Sequence, residues 1–193
     1  MQRMLDLCTK VAMNLDLKYN IKKSMALRIG KRFKISCKKL LLDGKELNYV
    51  DEIKYLGIII QAGSAFRCVY SQCKLKFYRS FNTIYSRSKS ASSEIICINL
   101  LKFFCIPLLL YATEAITPSK SIVANFENML NNCIGKIFGT YDKLILHDIR
   151  FNCAVDNLCS VITKRRCNFL LKYSRKNFYF VNAITSTYTN LFK

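Results

Sequence analysis

The sequence predicts an α+β fold in which a short antiparallel sheet precedes a mainly helical bundle. Two observations carry this prediction. Between residues 17 and 60, short alternating or β-branched runs are separated by turn residues, as in strands. From residue 64 onward, apolar residues instead recur at helical spacing. Because the two patterns meet at Ala62-Gly63-Ser64, we place a domain boundary between residues 62 and 63.

The N-terminal region begins with a predicted helix over residues 1–16, where apolar residues fall at i, i+3 and i+4 spacings. Short connections between the strands that follow favour an antiparallel meander. The predicted strands cover residues 17–21, 24–29, 33–42, 46–50 and 53–60.

Two glycines mark special positions in this sheet. Asp43-Gly44 lies between apolar runs and predicts a hairpin turn. Gly57 lies inside Glu52–Ile60, which we interpret as one continuous strand. A glycine within a strand usually marks a bulge or the close approach of another chain.

Residues 64–89 predict an amphipathic helix that is both basic and aromatic. Its apolar residues share one face, and its cations fall elsewhere. Such a helix can lie against a phosphate backbone, or its charges can simply be solvated. The cations of this helix that we select as candidate contacts are Lys74, Arg79, Arg87 and Lys89.

The most apolar stretch, 95–112, is predicted to be a buried central helix, capped by Ser92-Ser93-Glu94 and broken at Pro107. A membrane span is the alternative. Lys102 near the middle argues against it, because a central lysine costs roughly 2.5–3.5 kcal/mol on insertion scales.

Further helices are expected over 119–138, ended by Gly139, and as a pair within 144–173 with its joint near Asp156-Asn157. Residues 177–193 show no clear periodicity, and we expect them to be loosely ordered. The last helix carries a second basic cluster, Lys164, Arg165 and Arg166.

The excess of positive charge predicts a polyanionic partner. The chain has 31 lysines and arginines against 12 acidic residues, a net charge of +19. Nucleic acid is the first candidate and an anionic membrane surface the second, with an ordinary basic surface as the alternative. Ten cysteines without a Cys-x-x-Cys motif, mostly within apolar runs, are typical of a reduced intracellular protein, nuclear or cytoplasmic.

Catalytic signatures are weak. His147, Cys153, Cys159 and Cys167 are spaced unlike any closed zinc site, and His147 is the only histidine available to activate a thiol. No phosphate-binding glycine loop occurs, and no acidic pair follows an apolar strand. We therefore expect no catalytic residues, no metal site and no cofactor.

Several stretches together resemble the reverse transcriptase of non-LTR (LINE-type) retrotransposons. The most specific are Asn20-x-x-Lys23-Ser24 and Lys54-Tyr55-Leu56-Gly57-Ile58, in this order and at this distance. The others are Gln2–Cys8, Phe81-Asn82-x-Ile84-Tyr85-Ser86, Pro107–Ala112 with Glu114-Ala115, Ile137-Phe138-Gly139, Ile149-Arg150 and Lys164–Leu170.

The resemblance implies that residues 1–62 are a palm remnant with the hairpin that grips the primer end, and that 63–176 are the thumb and connecting region. In that family, the lysine that matches Lys23 lies near the phosphates of the incoming nucleotide. The resemblance also implies that Tyr55 and Gly57 bring the backbone close to the primer end, and Lys54 beside them is a further candidate contact. The complete family enzyme uses Mg²⁺. The match starts just after the family's paired Asp-Asp motif, so we expect no polymerase activity from this chain alone.

The resulting expectation is a truncated, catalytically inactive protein that binds RNA or DNA through its backbone, without sequence preference and without a membrane. Three alternatives stay open: an orphan interaction fragment without selected function, a part of an active RNA-directed DNA polymerase whose N-terminal portion is missing here, and a basic membrane-associated helical protein. Self-association through an exposed sheet edge is a further expectation.

Overall fold

The computed structural model describes residues 1–88 and 93–174 and has the predicted α+β architecture. The chain separates into two compact units, Met1–Tyr70 and Ser71–Lys193. The division lies later than residue 62 because 67–69 form a strand of the first unit's sheet, where the sequence predicts the start of a helix.

The first unit contains helix α1 (Gln2–Asn14), a 3₁₀ turn (Ile21–Lys23) and seven short strands. These pair as a β2–β3 hairpin, a three-stranded antiparallel sheet in the order β5-β6-β7, and a parallel β1–β4 pair. The strands are β1 (Met25–Leu27), β2 (Leu41–Leu42), β3 (Lys45–Glu46), β4 (Asn48–Val50), β5 (Glu52–Tyr55), β6 (Ile58–Gln61) and β7 (Arg67–Val69).

The predicted antiparallel meander is therefore wrong in part: β1 and β4 run parallel, and most of 33–42 is not a strand. In residues 33–42, side-chain contacts take the place of the expected hydrogen bonds between strands. The Arg28 guanidinium donates to the Ile35 carbonyl and lies 5.1 Å from the centre of the Tyr49 ring. The strand predicted over 17–21 is also absent, because Asn20 caps the 3₁₀ turn instead.

The stretch predicted as one strand over Glu52–Ile60 is a hairpin. Leu56 and Gly57 both have positive φ, +46° and +84°, and Tyr55 pairs with Ile58 across them. Two such residues form the type I′ turn that suits a two-residue hairpin loop. Gly57 thus supplies a turn conformation rather than a bulge. The sequence does not indicate this turn, because a bulky residue such as Leu56 is rarely found at positive φ.

The second unit is helical, and the helices predicted after residue 119 are confirmed. Gly139 ends α5 in the left-handed conformation, and Asp142 caps α6. The elements are α2 (Ser71–Ser88), α3 (Glu94–Leu100), a π-helical turn (Leu101–Cys105), α4 (Ile106–Leu109), α5 (Lys120–Phe138), α6 (Lys143–Asn152) and α7 (Leu158–Ser174).

The predicted break at Pro107 takes the form of the π-helical turn that precedes it. Proline lacks an N–H and its ring collides with the carbonyl four residues earlier, so a wider turn relieves the clash. The Lys102 ammonium donates to the Cys153 carbonyl (2.9 Å) at the C-terminal end of α6, where a cation is favoured. Among the described residues, no helix is long and apolar enough to cross a membrane.

The core of the second unit joins α2, α5, the start of α7 and the segment α3–α4. The segment is buried on one side only, which corrects the expectation of a buried central helix: Phe103 and Phe104 are 72% and 59% exposed. The largest fully buried side chains of this core are Phe77, Ile98, Leu101, Leu109, Leu110, Phe126, Leu130, Ile134 and Leu158.

A largely buried ion pair ties α5, α6 and α7 together. Arg150 Nη1 donates to Glu127 Oε2 at 2.7 Å and to Asn131 Oδ1 at 2.9 Å, and Nη2 donates to the Asp156 carbonyl at 2.8 Å. The other carboxylate oxygen of Glu127 accepts the N–H of Leu158, the first residue of α7. Only 14% and 17% of the two charged side chains are exposed, so neither is well hydrated without its partner.

We expect Arg150→Met to lower the free energy of unfolding by roughly 3–5 kcal/mol, because it leaves the Glu127 carboxylate buried without its cation. Urea unfolding followed by helical circular dichroism measures this. Glu114→Gln is the control, since about a third of each side chain in the Glu114–Arg165 pair is exposed and its loss should cost clearly less. Equal costs for the two variants would contradict the assignment.

Helix α1 leaves an apolar face uncovered in the first unit. Ala12 is buried, whereas Met4, Leu7 and Val11, which share one side of the helix, are 56%, 62% and 50% exposed. The outer edges of β5 and β7 have no strand partner among the described residues. Exposed apolar surface and open sheet edges each favour association between molecules.

We therefore expect the protein to self-associate as its concentration rises, and Leu7→Glu with Val11→Glu to shift it toward monomer. Size-exclusion chromatography with light scattering over a concentration series measures this. Met13→Glu, on the opposite side of α1 and 63% exposed, is the control and should leave association unchanged. A concentration-independent monomer in the unmutated protein would contradict the expectation.

Candidate nucleic-acid interface

A row of cations runs along the exposed side of α2. Lys76, Arg79 and Arg87 are exposed, whereas the opposite side of the helix buries Cys73, Phe77 and Phe81. The three cations follow one another at three and eight residues, so they span roughly 16 Å of the helix axis. We call Lys76, Arg79 and Arg87 the α2 stripe.

The α2 stripe carries uncompensated charge. Helix α2 contains no acidic residue, and none of the three side chains has an ion-pair partner among residues 1–88 and 93–174. Such a row attracts polyanions, since each phosphate that it neutralises releases counterions.

The other cations selected from α2 are placed differently. Lys74 is half-buried on the other flank of the helix, with its ammonium 6.0 Å from the centre of the Phe126 ring on α5. Its stem therefore packs between helices, and its charge lies on an aromatic face. Lys89 lies outside the described residues, as does the 177–193 tail.

The second basic cluster is divided by internal contacts. Arg165 Nε donates to Glu114 Oε1 at 2.7 Å, and the Arg166 guanidinium donates to the Thr117 hydroxyl. Lys164 is exposed. Two of the three cations thus hold α7 against the chain that follows α4.

The candidates in the first unit lie on two separate turns. Lys54 and Tyr55 are exposed at the end of β5, next to the Leu56-Gly57 turn. Lys23 is exposed in the 3₁₀ turn before β1.

The structure explains the spacing of the Asn20-x-x-Lys23-Ser24 motif. The Lys23 N–H donates to Asn20 Oδ1 (3.2 Å), and the Ser24 hydroxyl donates to the Asn20 carbonyl (2.9 Å). The motif therefore builds a capped turn that presents its lysine to solvent.

A groove of about 450 Å³ borders the α2 stripe. Its walls come from α2, from the end of α3 and from the π-helical turn. The lining residues are Arg79, Ser80, Thr83, Ile84, Leu100 and Phe104. The sequence does not indicate this groove, because only tertiary packing brings Phe104 beside Arg79. Lys76 is a cation of the stripe that the sequence analysis does not select. Its spacing of three residues from Arg79, which puts both on one side of a helix, is the signal that identifies it.

A larger groove, of about 620 Å³, lies over α6. Lys143, His147 and Arg150 are among its lining residues. The Arg150 guanidinium is already bound by Glu127 and Asn131, so this groove offers weaker attraction to an anion than its composition indicates.

The buried thiols of Cys105 and Cys133 are poorly suited to act as nucleophiles. Burial raises the pKa of Cys133 to about 12, with the neighbouring Cys105 thiol adding to the effect and Lys136 opposing it. Burial also raises the pKa of Cys105, with a hydrogen bond to Ser80 as a smaller opposing influence. Thiols held in this way stay protonated near neutral pH, and a protonated thiol is a poor nucleophile. Among the described residues, no three histidine, cysteine or acidic side chains form a metal-binding group.

Comparison with protein-family models, with curated proteins and with solved structures finds no match to this chain.

Proposed function

We propose that this protein binds RNA or DNA through the phosphate backbone, without reading sequence, as a catalytically inactive chain of non-LTR reverse-transcriptase type. The observation that carries the proposal is the α2 stripe, three exposed cations on a helix without a single acidic residue. The net charge of +19 supplies long-range attraction to any polyanion.

The chemistry of the stripe favours contacts to phosphate. Arginine guanidinium groups bind phosphate oxygens in a forked geometry, and lysine adds a point charge. Such contacts position a nucleic acid without identifying its bases. The resemblance to the retrotransposon enzymes supports the same proposal, because it implies that residues 63–176 correspond to a region that holds a template–primer duplex by its backbone.

We expect binding to weaken steeply with salt, with a log–log slope of about −0.7 to −0.9 for each phosphate neutralised. Arg79→Glu with Arg87→Glu should flatten that slope and lower the affinity, whatever the oligonucleotide sequence. Fluorescence anisotropy over a salt series on two unrelated sequences measures both effects.

The matched control is Lys120→Glu with Lys172→Glu, which changes the net charge equally at exposed positions on α5 and α7. It should weaken binding much less. Equal losses in the two double variants would mean that net charge, and not the α2 stripe, governs binding. Affinity that is independent of salt, or a strong preference for one sequence, would overturn the proposal.

A separate expectation concerns catalysis. Phosphoryl transfer by a polymerase needs carboxylates that position metal ions at the primer end, and the resemblance starts after the family's Asp-Asp pair. Purified protein should therefore extend no primer on an RNA template with Mg²⁺ or Mn²⁺. Template-dependent extension would refute this, and extension only after joining to an upstream segment with the acidic pair would make the chain part of an active polymerase.

An interaction protein is the second candidate function. The uncovered apolar face of α1 favours it, since such a face is typical of a surface that another protein covers. One pair of variants distinguishes the two candidate functions, because charge reversal on α2 should weaken nucleic-acid binding without changing association through α1.

A further inference from the structure

The groove beside the α2 stripe combines an apolar floor with a charged rim. Its two hydroxyl groups each make a contact inside the protein. The Thr83 hydroxyl donates to the Arg79 carbonyl (2.9 Å), and the Ser80 hydroxyl lies 3.4 Å from the Cys105 thiol. Leu100 and Ile84 complete the lining beside Phe104. The remaining polar feature is the guanidinium of Arg79.

Phe104 is accessible to solvent, although it belongs to an apolar helical segment. It is 59% exposed, although the same segment buries Leu101, Cys105 and Leu109. The π-helical turn that precedes Pro107 widens the helix at this point, and widened turns of this kind frequently occur at functional sites. The exposed ring lies beside Arg79, which belongs to the α2 stripe. This combination matches the surfaces that bind single-stranded nucleic acid, where bases stack on aromatic rings and the backbone follows the positive charge.

We infer that this groove binds an unpaired base of a single-stranded nucleic acid, which stacks on the Phe104 ring while Arg79 and the rest of the α2 stripe hold the flanking phosphates. The inference rests on the proposed function and adds to it a contact that only a single-stranded nucleic acid can make. A duplex offers no free base face to Phe104, because its bases are stacked on one another. The groove, of about 450 Å³, is open to solvent rather than enclosed, as stacking of a base on an exposed ring requires.

The test compares Phe104→Leu with Phe103→Leu. Both replace an exposed phenylalanine by an apolar residue in the same turn, but Phe103, 72% exposed, does not line the groove. Phe104→Leu should weaken binding to a single-stranded oligonucleotide by roughly 5- to 150-fold and leave duplex binding unchanged. Phe103→Leu should change neither, and Phe104→Tyr, which keeps the ring, should bind like the unmutated protein.

A single-stranded oligonucleotide that carries one 2-aminopurine supplies a direct readout of stacking. Its fluorescence should be quenched by the unmutated protein and by Phe104→Tyr, and the quenching should be lost with Phe104→Leu. Circular dichroism checks that all three variants keep the helical content of the unmutated protein.

The outcomes separate this inference from the proposed function. If Arg79→Glu with Arg87→Glu weakens binding but Phe104→Leu does not, the α2 stripe binds nucleic acid and the stacking site is refuted. If Phe103→Leu weakens binding as much as Phe104→Leu, the groove is refuted as the site. If the unmutated protein binds neither single strand nor duplex, the proposed function fails and this inference fails with it.

Discussion

The arrangement of the helical unit depends on the ion pair between Glu127 and Arg150. One carboxylate oxygen receives the arginine and the other receives the first N–H of α7, so a single side chain of α5 positions both of the following helices. The guanidinium also holds carbonyls of the α6–α7 connection through Nε and Nη2. Because the two charges are largely buried, α6 cannot shift without leaving a charge unpaired, and α7 cannot shift without removing a hydrogen bond from the Glu127 carboxylate.

The contacts of the acidic residues in the helical unit explain why the α2 stripe stays positively charged. Glu114 pairs with Arg165, Glu127 pairs with Arg150, and Asp142 accepts two N–H groups at the start of α6. These carboxylates are used to hold and cap helices. Among the described residues, Lys76, Arg79 and Arg87 have no acidic partner, so the exposed side of α2 keeps its positive charge uncompensated.

The turns of the first unit show where sequence patterns are informative. Asp43-Gly44 is a hairpin turn as predicted, because both residue types accept positive φ. The sequence predicts a strand at the Leu56-Gly57 turn, because five residues around it are apolar or aromatic and leucine seldom adopts that conformation. The parallel β1–β4 pair was missed since strand direction depends on distant contacts, such as that of Arg28 with the Tyr49 ring.

The sequence by itself determined the α+β class, the helices from α5 to α7 and the excess of positive charge, since periodicity, capping residues and composition are local properties. Tertiary structure alone decided which cations are available: it placed Lys74 on Phe126, engaged Arg165 with Glu114 and left Arg79 exposed. It also brought Phe104 beside Arg79, across 25 residues of chain. The physical reason is that a side chain's availability depends on what packs against it, and long-range packing is set by the whole core rather than by neighbours in sequence.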